Sequence, residues 1–212
     1  GYIVNRGGSE AEDGFSLSWE DGNIRVELQN TQSKKKVSCE NAAPSDHEWH
    51  HIAFTWSRKE KVITTYIDGQ PAQTTKQFTG TLGIPTQALN IGRNALHGGY
   101  FHGQITEVRI WEQARSQDEI EQTMKQRLEG NETGLIGYWP LDDKQATAKD
   151  RSGNQHNGTI QGATWEETEL PVTAHRLWAT GLEDYGYWYR WKQSLPQQSS
   201  NGKSFRRGRI WA

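Results

Sequence analysis

Residues 48–70 read EWHHIAFTWSRKEKVITTYIDGQ, and this stretch restricts the fold more than any other. It alternates, turns, alternates again and ends on Asp-Gly. A period of two is the signature of a β-strand, whose successive side chains point to opposite faces. His50, Ile52, Phe54 and Trp56 therefore share one face of a strand, and Trp49, His51, Ala53 and Thr55 share the other. Residues 62–67 form the partner strand, and Asp68-Gly69 is a preferred pair for a type I′ hairpin turn. Both faces carry bulky groups, which places the pair near the middle of a sheet with material packed on each side.

The same beat runs through residues 1–111. Phe15, Leu17 and Trp19 alternate with Ser16 and Ser18. Asp21-Gly22 then turns the chain, and Ile24, Val26 and Leu28 alternate with Arg25, Glu27 and Gln29. Residues 31–47, centred on Lys34-Lys35-Lys36, read as a loop or a poorly buried edge strand. A Gly- and Thr-rich connection leads to a short strand at Leu89-Asn90-Ile91-Gly92 and then to FHGQITEVRIW, read as one alternating strand. Short strands divided by turn signals indicate a sandwich or barrel. Only 33% of residues are hydrophobic, but ten Trp, seven Tyr and five Phe supply the buried area of an aromatic-rich core.

One helix is expected. Ser116 and Glu119 make a capping box, Ile120, Met124 and Leu128 form a narrow apolar stripe, and Gly130 supplies the stop. GLIGYWPLDD reads as a further strand, and residues 158–160 as a short one. From residue 166 the character changes to a linker and an aromatic-rich tail. There Tyr185, Tyr187, Trp188, Tyr189 and Trp191 lie close together. Such a cluster must dock on its own sandwich or on a neighbouring subunit; Tyr187, Trp188, Tyr189 and Trp191 are the candidate docking residues.

Charge is near balance, 24 Lys and Arg against 26 Asp and Glu, so nothing demands nucleic acid as a partner. No apolar run is long enough to read as a membrane span. The single cysteine, Cys39, excludes an intrachain disulfide. Gly1-Tyr2-Ile3-Val4 already looks like a strand, so the chain is expected to be a piece of something longer.

The phrases WHHIAFTW, YIDGQ, LNIGRN, YFHGQITEVRIWEQARSQDEI, GLIGYWPLDD and DRSGNQHNGTIQGATW come in order over residues 2–165. Together they resemble the laminin G-like members of the concanavalin A-like lectin and glucanase superfamily. The resemblance implies an all-β fold, an antiparallel two-sheet jelly-roll sandwich with one short helix. It implies domains at 1–165, lacking the first strands of the family pattern, and 166–212 as linker and tail. Relatives commonly carry Asp-Glu-Val where this chain has Thr106-Glu107-Val108. A structural calcium site, if the resemblance extends to it, would draw on Asp68 and Glu107, which read equally well as surface acids.

Catalysis of the glucanase type needs two carboxylates facing one sugar site. Glu27 and Glu107 stand alone on their strands, and Asp142-Asp143 are adjacent and point opposite ways. His47, His50 and His51 offer at most two ligands on one face. Glycan recognition fits better: Asn94, His97, Tyr100 and His102 bring polar groups and one Tyr into the Gly-rich segment GRNALHGGYFHG. The expected function is a non-catalytic recognition or adhesion module, extracellular or at the cell surface. It would bind a glycan or a protein through loops at the sandwich end. The alternative is a structural subunit or decoration domain of a large protein assembly, and a glucanase-type hydrolase is a distant third.

Overall fold

The structure is a computed structural model. It describes all residues except 8–12, 31–34, 77, 79–81, 83–84, 95–97, 169–171, 173–188, 194–207 and 212. Of residues 35–37, 76, 167, 189–193 and 208–211 it describes the backbone alone. The fold is all-β with antiparallel sheets and one short helix, the jelly-roll sandwich class. The chain forms two compact units, Gly1–Glu48 with Ile52–His102, and Trp49–His51 with Gly103–Ala212.

The first unit contains β1 (Tyr2–Gly7), β2 (Gly14–Glu20), β3 (Asn23–Asn30), β4 (Lys35–Ala42), most of β5 (Trp49–Ser57), β6 (Val62–Ile67), β7 (Gln70–Lys76) and β8 (Asn90–Ile91). Five of these make a sheet in the order β4-β3-β2-β1-β8, and β5, β6 and β7 pair in sequence order. Asp21 and Gly22 have φ of 49° and 80°, and Asp68 and Gly69 have 53° and 80°. Positive φ at both central positions is the demand of a type I′ turn, so both Asp-Gly pairs do what the sequence requires of them.

Register then sorts the side chains. Phe15, Leu17 and Trp19 lie opposite Leu28, Val26 and Ile24 and face inward. Phe15 meets Phe54 of β5 with ring centroids 5.9 Å apart, Trp56 meets Phe78 edge-on at 5.5 Å, and Cys39 Sγ lies 3.8 Å from Thr65 Oγ1. These contacts join the five-stranded sheet to β5–β7 as two layers with an aromatic filling. The other face of the five-stranded sheet is polar, and its cross-strand partners run Asn90–Asn5–Ser16–Glu27–Ser38. Residues 35–42 are the edge strand that the lysine-rich composition suggested. The strand β7 was hidden in the sequence by its Gln, Thr and Pro residues. It is a polar edge, with a register shift beside Pro71, where a missing N–H is tolerated.

The second unit contains β9 (Gly103–Thr106), β10 (Val108–Trp111), α1 (Gln117–Met124), β11 (Leu135–Trp139), β12 (Thr147–Ala148), β13 (Gly158–Thr159), β14 (Ala163–Glu167), β15 (Tyr189–Gln193) and β16 (Gly208–Trp211). Residues 101–111 are not one continuous strand. Glu107 adopts φ of 55° and separates β9 from β10, which pairs with β11 instead. The backbones of β15 and β16 both pair with β9. β16 runs parallel to β9 and to Trp49–His51, a departure from the expected antiparallel rule. The capping box of α1 is present, with Ser116 Oγ accepting from Glu119 N and the Glu119 carboxylate accepting from Ser116 N at 2.7 Å. The helix ends sooner than its apolar stripe suggested, at Met124 with Lys125 as the cap, so Leu128 lies outside it. Gly130 does not stop the helix. It has φ of 92°, and a Cβ there would lie 1.8 Å from the Arg151 carbonyl oxygen, so glycine is required for a close backbone approach.

Candidate functional site

The loop after β8 is held from below by backbone bonds. Gly92 N donates to Ile3 O at 2.8 Å, Phe101 N to Gly92 O at 2.9 Å, and Tyr2 N to Gly99 O at 3.0 Å. Asn94 bridges Gly98, and Tyr2 bridges Tyr100. Gly98 and Gly99 have φ of 70° and 79°, the left-handed region that glycine occupies without penalty. The Tyr2 ring approaches to 3.1 Å of where a Gly99 Cβ would be, so a larger residue there would have to push the ring aside. Phe101 is buried and its ring lies 6.5 Å from that of Trp19. The alternation through Tyr100, Phe101 and His102 then leaves Tyr100 outside.

Tyr100 is 39% exposed. Among the described residues only Ile136 joins it as a large exposed apolar side chain. His102 is also exposed, and partial burial pushes its imidazole below the usual histidine value, toward the neutral form. Asn94 is buried, so it shapes the loop from inside. The loop therefore brings Tyr100 and His102 to the surface and seats Asn94 beneath; His97 lies outside the described residues. Tyr2, the platform beneath Gly99, was not singled out in the sequence. Its only signal there was an aromatic at the start of a strand.

The second unit holds a buried charge network. Glu107 is 1% exposed, which corrects its reading as a surface acid. The positive φ turns its side chain inward. Its Oε2 accepts from Arg109 Nη2 at 3.0 Å and from the Tyr138 hydroxyl at 2.8 Å, and its Oε1 lies 4.0 Å from Arg127 Nε. Burial, then the Glu107 charge, pushes the Tyr138 phenol well above the usual tyrosine value, so it remains a donor. Arg127 also binds Asp142, and Arg151 donates to Asp142 Oδ1 at 2.7 Å. Arg109 reaches the end of α1 as well, donating to Thr123 O at 2.8 Å and Gln126 O at 2.5 Å. Glu107 and Arg109, two apart across a strand break, were the sequence signal for this network.

Calcium takes about six to eight oxygen ligands. Asp68 sits in the β6–β7 turn of the first unit, and Glu107 faces two guanidinium groups in the second. Thr106 is buried and donates its hydroxyl to Pro140 O at 2.8 Å. Among the described residues no group of three or more His, Cys, Asp or Glu could hold a metal ion. Glu107, taken up by Arg109, Arg127 and Tyr138, does not fit a calcium cradle as the described residues stand. Of the expected docking residues, Tyr187 and Trp188 lie outside the described residues, while Tyr189 and Trp191 are described only by their backbone in β15.

Comparison with known proteins gives three findings. Residues 1–121 match the family described as the concanavalin A-like lectin/glucanases superfamily (Laminin_G_3). The crystal structure of a "putative carbohydrate binding protein" from Bacteroides ovatus ATCC 8483 is similar at 20% identity and a TM-score of 0.54, over 74% of this chain. The chain spans 46% of that protein's length. An S-layer domain-containing protein from Clostridium thermocellum ATCC 27405 is 24% identical over 57% of this chain and 61% of its own, with a TM-score of 0.32. No curated protein matches significantly.

Proposed function

From the premise that the chain belongs to the concanavalin A-like lectin/glucanases superfamily, we propose that it is a non-catalytic carbohydrate-recognition module. It works outside the cell or at its surface and holds a glycan on the loop after β8. The observation that carries this reading is Tyr100, an exposed ring on a loop whose backbone is fixed from below by Ile3, Tyr2 and Gly92. A sugar is bound by an apolar ring face together with polar groups at its edge, and a rigid loop loses little freedom on binding. His102 supplies such a polar group, and Asn94 keeps the loop in shape. The carbohydrate-binding description of the Bacteroides protein supports the same substrate class.

The carboxylates support a binding role over hydrolysis. Glu107 and Asp142 both hold Arg127, and Glu107 is buried. A glycosidase needs one carboxyl able to carry a proton and another open to the sugar or its water. Neither acid is free for that work.

A glycan array with the full chain, followed by titration of the best binder, tests the proposal. Tyr100→Ala is expected to weaken binding by about tenfold or more, roughly 1.4 kcal/mol, with an unchanged melting temperature. Binding that is indifferent to Tyr100→Ala, or no glycan bound by the parent chain, overturns it.

A further inference from the structure

We propose that Asn157 and Gly158 form a self-modifying site. When the β12–β13 pair opens, the Asn157 side chain closes on the Gly158 nitrogen, loses ammonia and is left as aspartate or isoaspartate. The closed pair holds this chemistry back, so the product is a one-way record of opening. The site is separate from the glycan loop, and its only co-reactant is water.

The ladder sets the geometry. Ile160 N donates to Ala146 O at 2.9 Å, and Thr147–Thr159 and Ala148–Gly158 are the next pairs. Hydrogen-bonded and non-hydrogen-bonded pairs alternate in an antiparallel ladder, so Gly158 N falls to Ala148 O. The following rung, between residues 150 and 156, is made by side chains. Asp150 N donates to Asn157 Oδ1 at 2.9 Å, and His156 N to Asp150 Oδ2 at 2.9 Å. The nitrogen that would attack and the amide it would attack are thus both engaged elsewhere. The same clamp reaches β11, where Tyr138 N donates to Asp150 Oδ1 at 2.9 Å and Arg151 N to Tyr138 O at 2.7 Å.

Two observations mark the site as primed. Asn157 is exposed, and β12 and β13 are only two residues long, so few rungs must break to free it. Gly158 is not required by the fold. Its φ lies outside the left-handed region, and a Cβ there would meet Ala148 Cβ at 3.7 Å and Ala148 O at 4.0 Å, ordinary contacts. Glycine weakens a strand; what it provides here is an unhindered amide nitrogen beside an asparagine. In the open state Gly158 N loses its proton to solvent hydroxide and bonds Asn157 Cγ. The Cγ–Nδ2 bond breaks, and Nδ2 leaves as ammonia with a proton from water. Water then opens the cyclic imide, at Cγ to give aspartate or at the main-chain carbonyl to give isoaspartate. Isoaspartate adds a carbon to the backbone between the 148–158 pair and the 150–156 rung, so the two cannot re-form in register and the clamp on β11 loosens.

The full chain is incubated at mildly alkaline pH in buffer and in urea, and peptide mapping by mass spectrometry follows conversion of the Asn157 amide to the acid. Conversion is expected to be about tenfold or more slower in buffer, because only the open fraction reacts. Gly158→Ala should keep or raise the melting temperature, and its Cβ should slow conversion in urea by about tenfold. The urea comparison is read on the unfolded chain, so it decides even where the variant folds poorly. In buffer, chains carrying isoaspartate at 157 should exchange the amide hydrogens of Tyr138 and Arg151 faster than unmodified chains. Equal conversion rates in buffer and urea, an unaltered rate in Gly158→Ala, or unchanged exchange at Tyr138 and Arg151 overturns the proposal.

Discussion

Glu107→Gln separates a structural acid from a catalytic one. The substitution keeps the size of the side chain and removes its charge. The Glu107 and Arg109 side chains are 1% and 5% exposed, so water cannot replace the lost ion pair. Arg127 keeps Asp142 as a counterion, whereas Glu107 is the carboxylate within reach of Arg109 among the described residues. The amide oxygen of the variant can still accept from Arg109 and the Tyr138 hydroxyl, but its NH2 group then faces Arg127, which is a donor already. Removing one partner of a buried pair is destabilising by about 3–5 kcal/mol. At about 2–4 °C per kcal/mol for a domain of this size, the melting temperature should fall by roughly 10 °C. Urea unfolding monitored by tryptophan fluorescence gives the free energy, and a cycle with Arg109→Ala should show a coupling above about 1 kcal/mol. A loss of less than about 1 kcal/mol would refute the argument that this network holds β10, β11 and the end of α1 together. Hydrolysis of a β-glucan by the parent chain, lost in the variant at unchanged stability, would sink the non-catalytic reading as well.

Two further predictions concern the second unit. Asp150 is a buried carboxylate; burial pushes its pKa up, but bonds from the backbone N–H groups of Tyr138, Ser152 and His156 outweigh this and hold it below the usual value. A depressed folded value means that its stabilisation is complete above the unfolded pKa, near 4, and is lost as pH falls through the folded one. Asp150→Asn should therefore be less stable at neutral pH and lose less stability between about pH 4 and pH 2, as read from melting temperatures across that range. Gly130→Ala should destabilise by about 2 kcal/mol or more, because φ is positive and the Cβ overlaps Arg151 O. Gly134→Ala, equally left-handed but with open space around it, should cost about 1 kcal/mol. Equal losses in the two glycine variants would show that the overlap is relieved cheaply.

The elements that could be read in the sequence were those set by local chemistry. Asp21-Gly22 and Asp68-Gly69 dictate their turns, Ser116 and Glu119 cap their helix, and the alternation of Phe15, Leu17 and Trp19 picks the buried face. The elements that could not be read depend on partners distant in the chain. Nothing near Glu107 announces a positive φ, because the pull comes from Arg127 and Tyr138, twenty and thirty-one residues on. Strand β7 looked like a connection because an edge strand needs little apolar content once β6 supplies its bonds. At the candidate site Tyr100 was legible from its place among glycines. That Asn94 lies beneath the loop was not, since a bridge to Gly98 decides it.

One residue links fold to function in the second unit. Had Glu107 kept extended geometry, residues 103–111 would form one strand, with Glu107 and Arg109 on the same face of it. The break turns Glu107 inward and lets β10 leave for β11. An inward carboxylate must then be paired, and Arg109, Arg127 and Tyr138 do this. Arg109 in turn donates to Thr123 O and Gln126 O just past the end of a short helix, adding to the bond that Gln126 N gives Thr123 O. The acid most exposed to suspicion as a catalyst is thus consumed in closing a hydrophobic interior around α1, β10 and β11. The proposed glycan site draws instead on Tyr100, an exposed ring whose loop is held by the backbone bonds of Ile3, Tyr2 and Gly92 and needs no carboxylate.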